Sequence, residues 1–399
     1  MIRGLWTHAA VLYSVKDGTL YSVDSNGQQV SLGALNSTAG VVDFESNHTQ
    51  LCINDGSYLY VYTPLTGVLT TSANYPGGDR LSFLDQRVNF MYRGTQQFGW
   101  TDLANAVSIN VLSFASAEST PTALVSQLAF NHELWLFKTD ATEIWDPIGG
   151  LTVYQKSTAA IDYGCVAAHS AQKTANSVIW LSQDKGGQAM VLSAVGHQAQ
   201  RISTRSQEEQ FEGLSLAGAR AFTYTDGGQS LYCLNIPGLT TTLVWDETFK
   251  QWHERAEYVN GAYAPWRATC HAFAYGRHYF GTLLGDLYIA DRNTWQFGTD
   301  PIVRERIAPV ISAPDQKRVS YPRFEILCEK GTGATVMLSY SDDNGANWSN
   351  WIYTTVGSVG VFKARARFNR LGSGYDRVFR VRMTDNAPFN PVDVNVPLV

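Results

Sequence analysis

Leu243-Val244-Trp245-Asp246 and Leu287-Tyr288-Ile289-Ala290-Asp291 are two copies of one pattern, in which a hydrophobic or aromatic strand runs into a small or acidic residue and then a turn. Toward the N-terminus the pattern recurs in Val191-Leu192-Ser193, Glu143-Ile144-Trp145-Asp146-Pro147, Phe98-Gly99-Trp100-Thr101-Asp102, Tyr60-Val61-Tyr62-Thr63-Pro64 and Leu20-Tyr21-Ser22-Val23-Asp24. Measured at the last matching position of each copy (24, 63, 102, 146, 193, 246, 291), the steps are 39, 39, 44, 47, 53 and 45 residues. A period near forty, built of strands and turns, is the spacing of a β-propeller blade. The fold class that follows is all-β: a β-propeller of six or seven blades with an additional C-terminal β-rich segment.

Composition agrees with that class. Of 399 residues, 44% are hydrophobic and 16% charged, which supplies buried sheet and little for long exposed helices. Aromatics reach 12%, with 20 Tyr and 11 Trp, and suit pleated, half-buried surfaces. Low surface charge also fits an exterior covered by neighbouring subunits, because interface cores are depleted in charge and rich in aromatics. The five cysteines (Cys52, Cys165, Cys233, Cys270, Cys328) are scattered, odd in number and never in a CxxC pair. They read as small buried residues of a protein folded in a reducing compartment, not as a disulfide framework or a zinc site. Met1-Ile2-Arg3-Gly4-Leu5-Trp6 has no signal-peptide core, and no apolar run approaches membrane-spanning length, so no membrane insertion is expected.

Residues 1–300 are expected to form the propeller. Asp17-Gly18, Asp55-Gly56, Gly77-Gly78, Gly149-Gly150, Gly186-Gly187 and Gly227-Gly228 are tight-turn signals between apolar stretches. Thr122 to Phe130 and Gln207 to Leu214 carry the few helical signals, a turn or two each. Pro301, Pro309, Pro314 and Pro322 interrupt regular structure and mark a seam near Arg304 to Tyr321. Beyond it, residues 301–399 hold four strand-like stretches (Pro322–Cys328, Ala334–Tyr340, Val361–Phe368, Asp376–Thr384), either a separate β-sandwich-like module or a closing blade with an extension. Charge divides at the same place. Residues 301–399 carry thirteen Lys/Arg against nine Asp/Glu, a balance of +4, which leaves −9 of the net −5 on residues 1–300.

Two features of the C-terminal part stand out. Ser341, Asp343, Gly345 and Trp348 fit S-x-D-x-G-x-x-W and resemble the Asp-box hairpin of sialidases. In such a hairpin the aspartate accepts from turn amides, the glycine supplies a positive φ and the tryptophan packs across; its role is structural. Lys363, Arg365 and Arg367 alternate on one strand and share a face, and Arg380 and Arg382 do so on another. Leu371-Gly372-Ser373-Gly374-Tyr375 reads as the turn between them, with Arg370 and Arg377 at its shoulders. Paired, the strands would form one cationic patch: a solvated face, a contact with an acidic neighbouring subunit, or a wall for passing DNA. Without interleaved stacking aromatics or a groove-reading helix, sequence-specific DNA recognition is not expected.

Catalysis finds little support. The eight histidines form no HxH or HExxH spacing, Cys165/His169 and Cys270-His271 lack partners at ligand spacing, and there is no phosphate-cradling loop, G-x-S-x-G elbow or isolated carboxylate pair. No catalytic residue, metal or cofactor is expected.

Eight blocks in order carry a resemblance: Arg3-Gly4-Leu5; Tyr75-Pro76-Gly77; Phe114-Ala115-Ser116-Ala117-Glu118-Ser119; Glu133-Leu134-Trp135-Leu136-Phe137 with Thr142-Glu143-Ile144-Trp145; Ala199-Gln200-Arg201-Ile202-Ser203-Thr204; Trp252-His253-Glu254-Arg255; the Ser341–Trp348 hairpin; and Arg370-Leu371-Gly372 with Asp376-Arg377-Val378-Phe379. Together they resemble the packaged-DNA stabilisation proteins, or tail hub (nozzle) proteins, of short-tailed bacteriophages. The resemblance implies a structural virion protein, a propeller subunit of a homo-hexameric ring assembled in the host cytoplasm. That ring docks below the portal-adaptor, closes the channel after packaging, carries tailspikes or tail fibres and a needle or plug, and passes double-stranded DNA non-specifically. Family members carry an extended leader before the first blade, whereas this sequence begins almost at Arg3-Gly4-Leu5. The alternative is a propeller glycosidase, for which the Asp-box-like hairpin speaks, or a carbohydrate-binding lectin acting on host surface polysaccharide, for which the surface Trp and Tyr speak.

Overall fold

Every copy of the repeated pattern is the third strand of an antiparallel sheet. The computed structural model describes residues 1–150, 152–313, 315 and 317–399, and it divides into two compact units, Met1–Ala290 and Asp291–Val399. Among the described residues of the first unit there are seven sheets, each a meander in chain order. The seven third strands are Thr19–Val23, Leu59–Thr63, Gln97–Trp100, Thr142–Pro147, Ala189–Val195, Thr242–Asp246 and Leu287–Ile289. In the first six blades the third strand is flanked by strands on both sides and covered by a neighbouring blade on each face. Its sequence therefore reads as a continuous apolar run instead of an alternating one. Leu243, Val244 and Trp245 are all buried, as are Tyr60, Val61 and Tyr62.

The first strands (Ile2–His8, Asp43–Ser46, Leu81–Leu84, Leu124–Phe130, Gln172–Lys173, Arg220–Asp226 and Ala268–Ala274) each lie beside the next, and the last lies beside the first. This is a closed seven-bladed propeller. Five blades have four strands, the sixth has five and the seventh three, counted over described residues. Among the described residues, no strand of the first blade joins the sheet of the seventh. Closure rests on packing: Ile2, Leu5, Leu12 and Val23 of the first blade bury against Ala272, Ala274 and Tyr279 of the seventh. Tyr275 hydroxyl donates to Val23 O (2.8 Å), and Thr7 Oγ1 donates to Phe273 O (2.8 Å). Gly281 permits this approach, since a Cβ there would lie 2.5 Å from Ile2 Cγ2.

Some expectations are corrected. Thr122 to Phe130 is not helical: Leu124–Phe130 is the inner strand of the fourth blade. Its Ser126 and Gln127 are buried polar residues whose side chains donate to neighbouring backbone, Ser126 to Ala168 O and Gln127 to Arg80 O and Asn89 O. Polar residues in these buried positions break the strand signature. Around Gln207 the helix is present as Arg205–Phe211, with Thr204 capping its N-terminus in a capping box with Gln207. That helix lies within the longest step of the repeat. Of the five free thiols, Cys270 is only half-buried and the others are buried.

The second unit is a β-sandwich. One sheet orders Arg304–Ile307, Asp376–Met383, Thr335–Ser341 and Ile352–Thr355, with Ile311–Ser312 also on Asp376–Met383; the other orders Phe362–Asn369, Arg323–Lys330 and Pro391–Asn395. Phe324, Ile326 and Phe368 of one sheet pack on Val336, Leu338 and Phe379 of the other, with the Phe324 and Phe379 rings 4.9 Å apart. The proline-rich seam is more regular than its composition implied, because three short strands (Arg304–Ile307, Ile311–Ser312, Val319–Ser320) are held by partners from residues 373–383. Pro314 lies outside the described residues.

Candidate interaction surface

The strand Phe362–Asn369 alternates Ala364, Ala366 and Phe368 inward with Arg365, Arg367 and Asn369 outward, and Lys363 is exposed at its start. The strand Asp376–Met383 turns Phe379 and Val381 to the same core. The two strands do not pair: the first bonds to Arg323–Lys330, the second to Thr335–Ser341 and Arg304–Ile307. Each sheet must put its apolar residues into the shared core, so the arginines of the two strands leave the sandwich on opposite faces. The single cationic patch expected from the sequence is therefore two separate surfaces. Leu371 to Tyr375 connects the two sheets and is not a hairpin turn; Ser373–Gly374 pairs instead with Val319–Ser320.

On the first face, Glu325 stands opposite Arg367 and is covered by guanidinium groups. Arg365 Nη1 and Arg367 Nε (2.7 Å) both donate to its carboxylate, and Arg323 Nε lies at 3.6 Å. Glu325 is 2% exposed, whereas Arg365 and Arg367 are 50% and 52% exposed. Burial pushes the Glu325 carboxyl up, but the hydrogen bonds from Arg365 and Arg367 and the nearby charge outweigh it and hold the group below its ordinary value. Three guanidiniums on one carboxylate leave a positive surplus that faces solvent. Arg370, with φ 59, is exposed beyond the end of this strand.

On the opposite face the arginines are covered by tryptophan rings. Arg380 lies over both Trp348 (4.2 Å) and Trp351 (4.5 Å), and Arg382 lies over Trp351 (4.8 Å) while its Nε donates to Glu305 (2.6 Å). This Trp–Arg–Trp–Arg stack holds the hairpin that follows Ser341 against the sheet. Within the hairpin, Asp343 Oδ1 accepts from Asn347 N (2.8 Å) and from the Ser341 hydroxyl (2.7 Å), and Oδ2 accepts from Asn347 Nδ2 (2.7 Å). These bonds, the Asn347 amide first, pull the Asp343 carboxyl down to about 2. Gly345 takes φ 93, and a Cβ there would lie 3.5 Å from the Trp348 ring. Arg377 belongs to neither surface. It is 2% exposed, grips Asp342 through Nε (2.6 Å) and Nη2 (2.7 Å), donates to Leu371 O (2.5 Å), and lies over Tyr340 (4.0 Å) and Tyr321 (4.6 Å). It is a structural clamp.

The sequence blocks that carried the resemblance fall at load points of the two units. Arg3 is buried at the junction of the first two blades, donating to Gly40 O (2.9 Å), Ser37 O (2.7 Å) and Asp17 O (3.0 Å), and a Cβ on Gly4 would meet Val42 O at 2.8 Å. Glu143 is fully buried and accepts from Ser119 N (2.7 Å) and Trp145 Nε1 (3.0 Å), while the buried Lys138 ammonium donates to Ala117 O (2.8 Å). These bonds tie the Phe114–Ser119 block to the fourth blade. Trp252 Nε1 donates to Ile202 O (2.7 Å), joining two further blocks across the fifth and sixth blades. Sequence reasoning missed Glu325 and Trp351; the Trp348-x-x-Trp351 spacing beside the Asp-box signature is the signal that points to the second.

Among the described residues no group of three or more His, Cys, Asp or Glu is placed to hold a metal, and no helix is long and apolar enough to cross a membrane. No curated protein matches the chain. Of solved structures, the extracellular domain of the one component system BT4673 from B. thetaiotaomicron is similar with TM-score 0.50 and 9% identity over 90% of this chain and 46% of that one. The chain thus spans about half that relative's length, and the likeness concerns the fold alone. The N-terminal domain of Nup159 (TM-score 0.46, 10% identity, 72% of this chain and 88% of that one) and an exo-beta-1,3-galactanase from Phanerochaete chrysosporium (TM-score 0.34, 8% identity, 96% and 100%) are more distant. Residues 2–293 match the family described as bacteriophage P22 Gp10, beta-propeller, and residues 304–398 the one described as bacteriophage P22 Gp10, beta-sandwich. Both units are matched in order and nearly end to end: the chain belongs to the bacteriophage P22 Gp10 family, phage structural proteins involved in stabilising packaged DNA.

Proposed function

We propose that the chain is one subunit of a sixfold ring in the phage tail, assembled in the host cytoplasm, that docks below the portal-adaptor and closes the DNA channel after packaging. Tailspikes or fibres, and a needle or plug, attach to the ring, and double-stranded DNA leaves through it. The family match over both units carries this reading. A propeller whose seven blades are closed by packing is a rigid wedge with loops on two faces, and those loops can be specialised for different neighbours. A ring of identical wedges needs a heterologous interface that closes under rotation.

The charge division supports such contacts. Residues 1–300 carry −9 and residues 301–399 carry +4, so the acidic propeller of one copy and the basic sandwich of another are complementary. Of the two arginine surfaces, the Arg323/Arg365/Arg367 face keeps a half-exposed positive surplus over the single carboxylate of Glu325 to meet a subunit or a DNA phosphate, and the Arg380/Arg382 face has its cations stacked on tryptophan. Contact with DNA through the first face is non-specific and weakens steeply with salt. The test is the mass of the purified chain alone and mixed with the adaptor ring. A six-copy assembly in the mixture supports the reading, and a strict monomer that never joins the adaptor overturns it.

A further inference from the structure

The first strands of the seven blades ring the axis of the propeller and run the same way, so residues at their N-terminal ends share one mouth of the axial channel. Asp43 opens the first strand of the second blade, Arg80 precedes that of the third, and Arg220 opens that of the sixth. His169 precedes the first strand of the fifth blade and forms a parallel bridge with Arg220, and Lys173 ends that short strand. Glu45 follows Asp43 by two positions and shares its side of the strand.

Two of these cations lack a hydrogen-bonding partner. Arg80 is 8% exposed, and its nearest carboxylate oxygen, Asp43 Oδ2, lies 3.7 Å from Nε and accepts instead from Leu81 N (2.6 Å). Arg220 is half-buried, and among the described residues its side chain makes no hydrogen bond or ion pair. Arg80 Nε is sealed from solvent, but the terminal nitrogens of Arg80 and every guanidinium nitrogen of Arg220 keep accessible surface. Both cations act on one place. Burial pushes the His169 imidazole down to about 3, and the charges of Arg80 and Arg220 push it the same way. The third and fifth blades are not neighbours, so Arg80 acts on His169 across the axis. Lys173 of the fifth blade likewise acts on Glu45 of the second.

The charges and their directions select the ligand. Arg80, Lys173 and Arg220 outnumber Asp43 and Glu45, and burial pushes the Glu45 carboxyl up to about 7, which removes part of its charge at neutral pH. A positive surplus walled in by seven blades repels cations and is costly without a counter-ion. A carboxylate presents two oxygens on one side, whereas the donors here come from the third, fifth and sixth blades. A tetrahedral oxyanion presents four oxygens in four directions and suits the planar fork of a guanidinium. We propose that this mouth of the axial channel binds one tetrahedral oxyanion, inorganic phosphate or sulfate, held by Arg80 and Arg220 with the His169 N–H as a third donor. The ion ties three blades together across the axis and stabilises the propeller independently of the ring assembly proposed above.

The test uses the full chain exchanged into buffer free of phosphate and sulfate. Titration calorimetry and thermal melts are run with sodium phosphate, sodium sulfate and, at matched ionic strength, sodium chloride. One saturable site for phosphate and for sulfate is expected, with a rise of roughly 5 °C in propeller melting at a hundred times the dissociation constant and no comparable rise in chloride. Arg220→Gln and Arg80→Gln should each weaken binding roughly tenfold or more, the fold-change of losing one hydrogen bond between charged groups. A variant that loses only packing keeps the phosphate-dependent rise, and Arg220→Gln, which breaks no internal bond, serves should Arg80→Gln fail to fold. Three results overturn the proposal: no saturable binding of either oxyanion beyond chloride, binding unchanged in Arg220→Gln, or binding retained in Arg220→Gln but abolished by Arg365→Gln with Arg367→Gln on the sandwich.

Discussion

Replacing Arg365 and Arg367 together by glutamine removes the two guanidiniums that donate to Glu325 and leaves Arg323 at 3.6 Å, beyond hydrogen-bond reach. A hydrogen bond to a charged group contributes about 1.5–3 kcal/mol when desolvated, and an exposed ion pair less than about 1 kcal/mol. Glu325 lies between these limits, because its cover is the arginine side chains themselves, each half exposed. Once they shrink, water reaches the carboxylate and recovers part of the loss. The expected cost for the pair is about 1–3 kcal/mol, or roughly 5–15 °C in the melting of a domain of this size. The assay is calorimetry of the full chain, with the sandwich transition followed by hydrogen exchange. Adding Glu325→Gln, which removes the charge in need of partners, should restore most of the loss. The sign with pH is fixed by the lowered carboxyl. Its stabilisation is complete above the unfolded carboxylate range and is lost as pH falls through the folded value, so the wild type should lose this increment in acid and the double variant should not. A double variant within about 0.5 kcal/mol of wild type, or no rescue by Glu325→Gln, would refute the reasoning.

Further outcomes are expected. Gly281→Ala places a Cβ 2.5 Å from Ile2 Cγ2 and should destabilise the propeller by about 1–3 kcal/mol, with Ile2→Ala in the same chain giving a less than additive loss in melting experiments. Arg377→Ala should cost about 1–3 kcal/mol, because it removes a buried side chain from two tyrosines and from a half-exposed Asp342 that water can reach, and Arg380→Ala, on a surface stack, about 1 kcal/mol. Burial pushes His169 and His271 down to about 3, helped by Arg80 and Arg220 for the first and by His278 for the second. Both should stay neutral through pH 5 in NMR titrations, and stability should fall as pH drops below the ordinary histidine value, since the unfolded chain binds protons there that the folded one does not.

How much of this was legible in the sequence depends on where each strand sits. The third strands announce themselves because both faces are covered. The outer strands do not: Gln29–Ala34, Val68–Thr71 and Gln198–Arg201 are mostly exposed, polar and short, so blades emerge as single copies of a pattern and the register between copies drifts. The seven copies nonetheless correspond one to one with seven blades. The arginine surfaces show the complementary failure. Alternation places Arg365 with Arg367 and Arg380 with Arg382, but it carries no information about which strand pairs with which. Glu325, some forty residues earlier, is invisible as their partner until the ladder is known. Local chemistry is most readable where it is self-contained, as in the Ser341–Trp348 hairpin, whose bonds close within eight residues.

Electron microscopy of the chain assembled on its adaptor tests the central claim most directly. The account predicts six copies in a closed ring, each with a seven-bladed propeller, around an open channel wide enough for double-stranded DNA. Particles in which the chain is absent, or present as isolated single copies making no contact with one another, would contradict it.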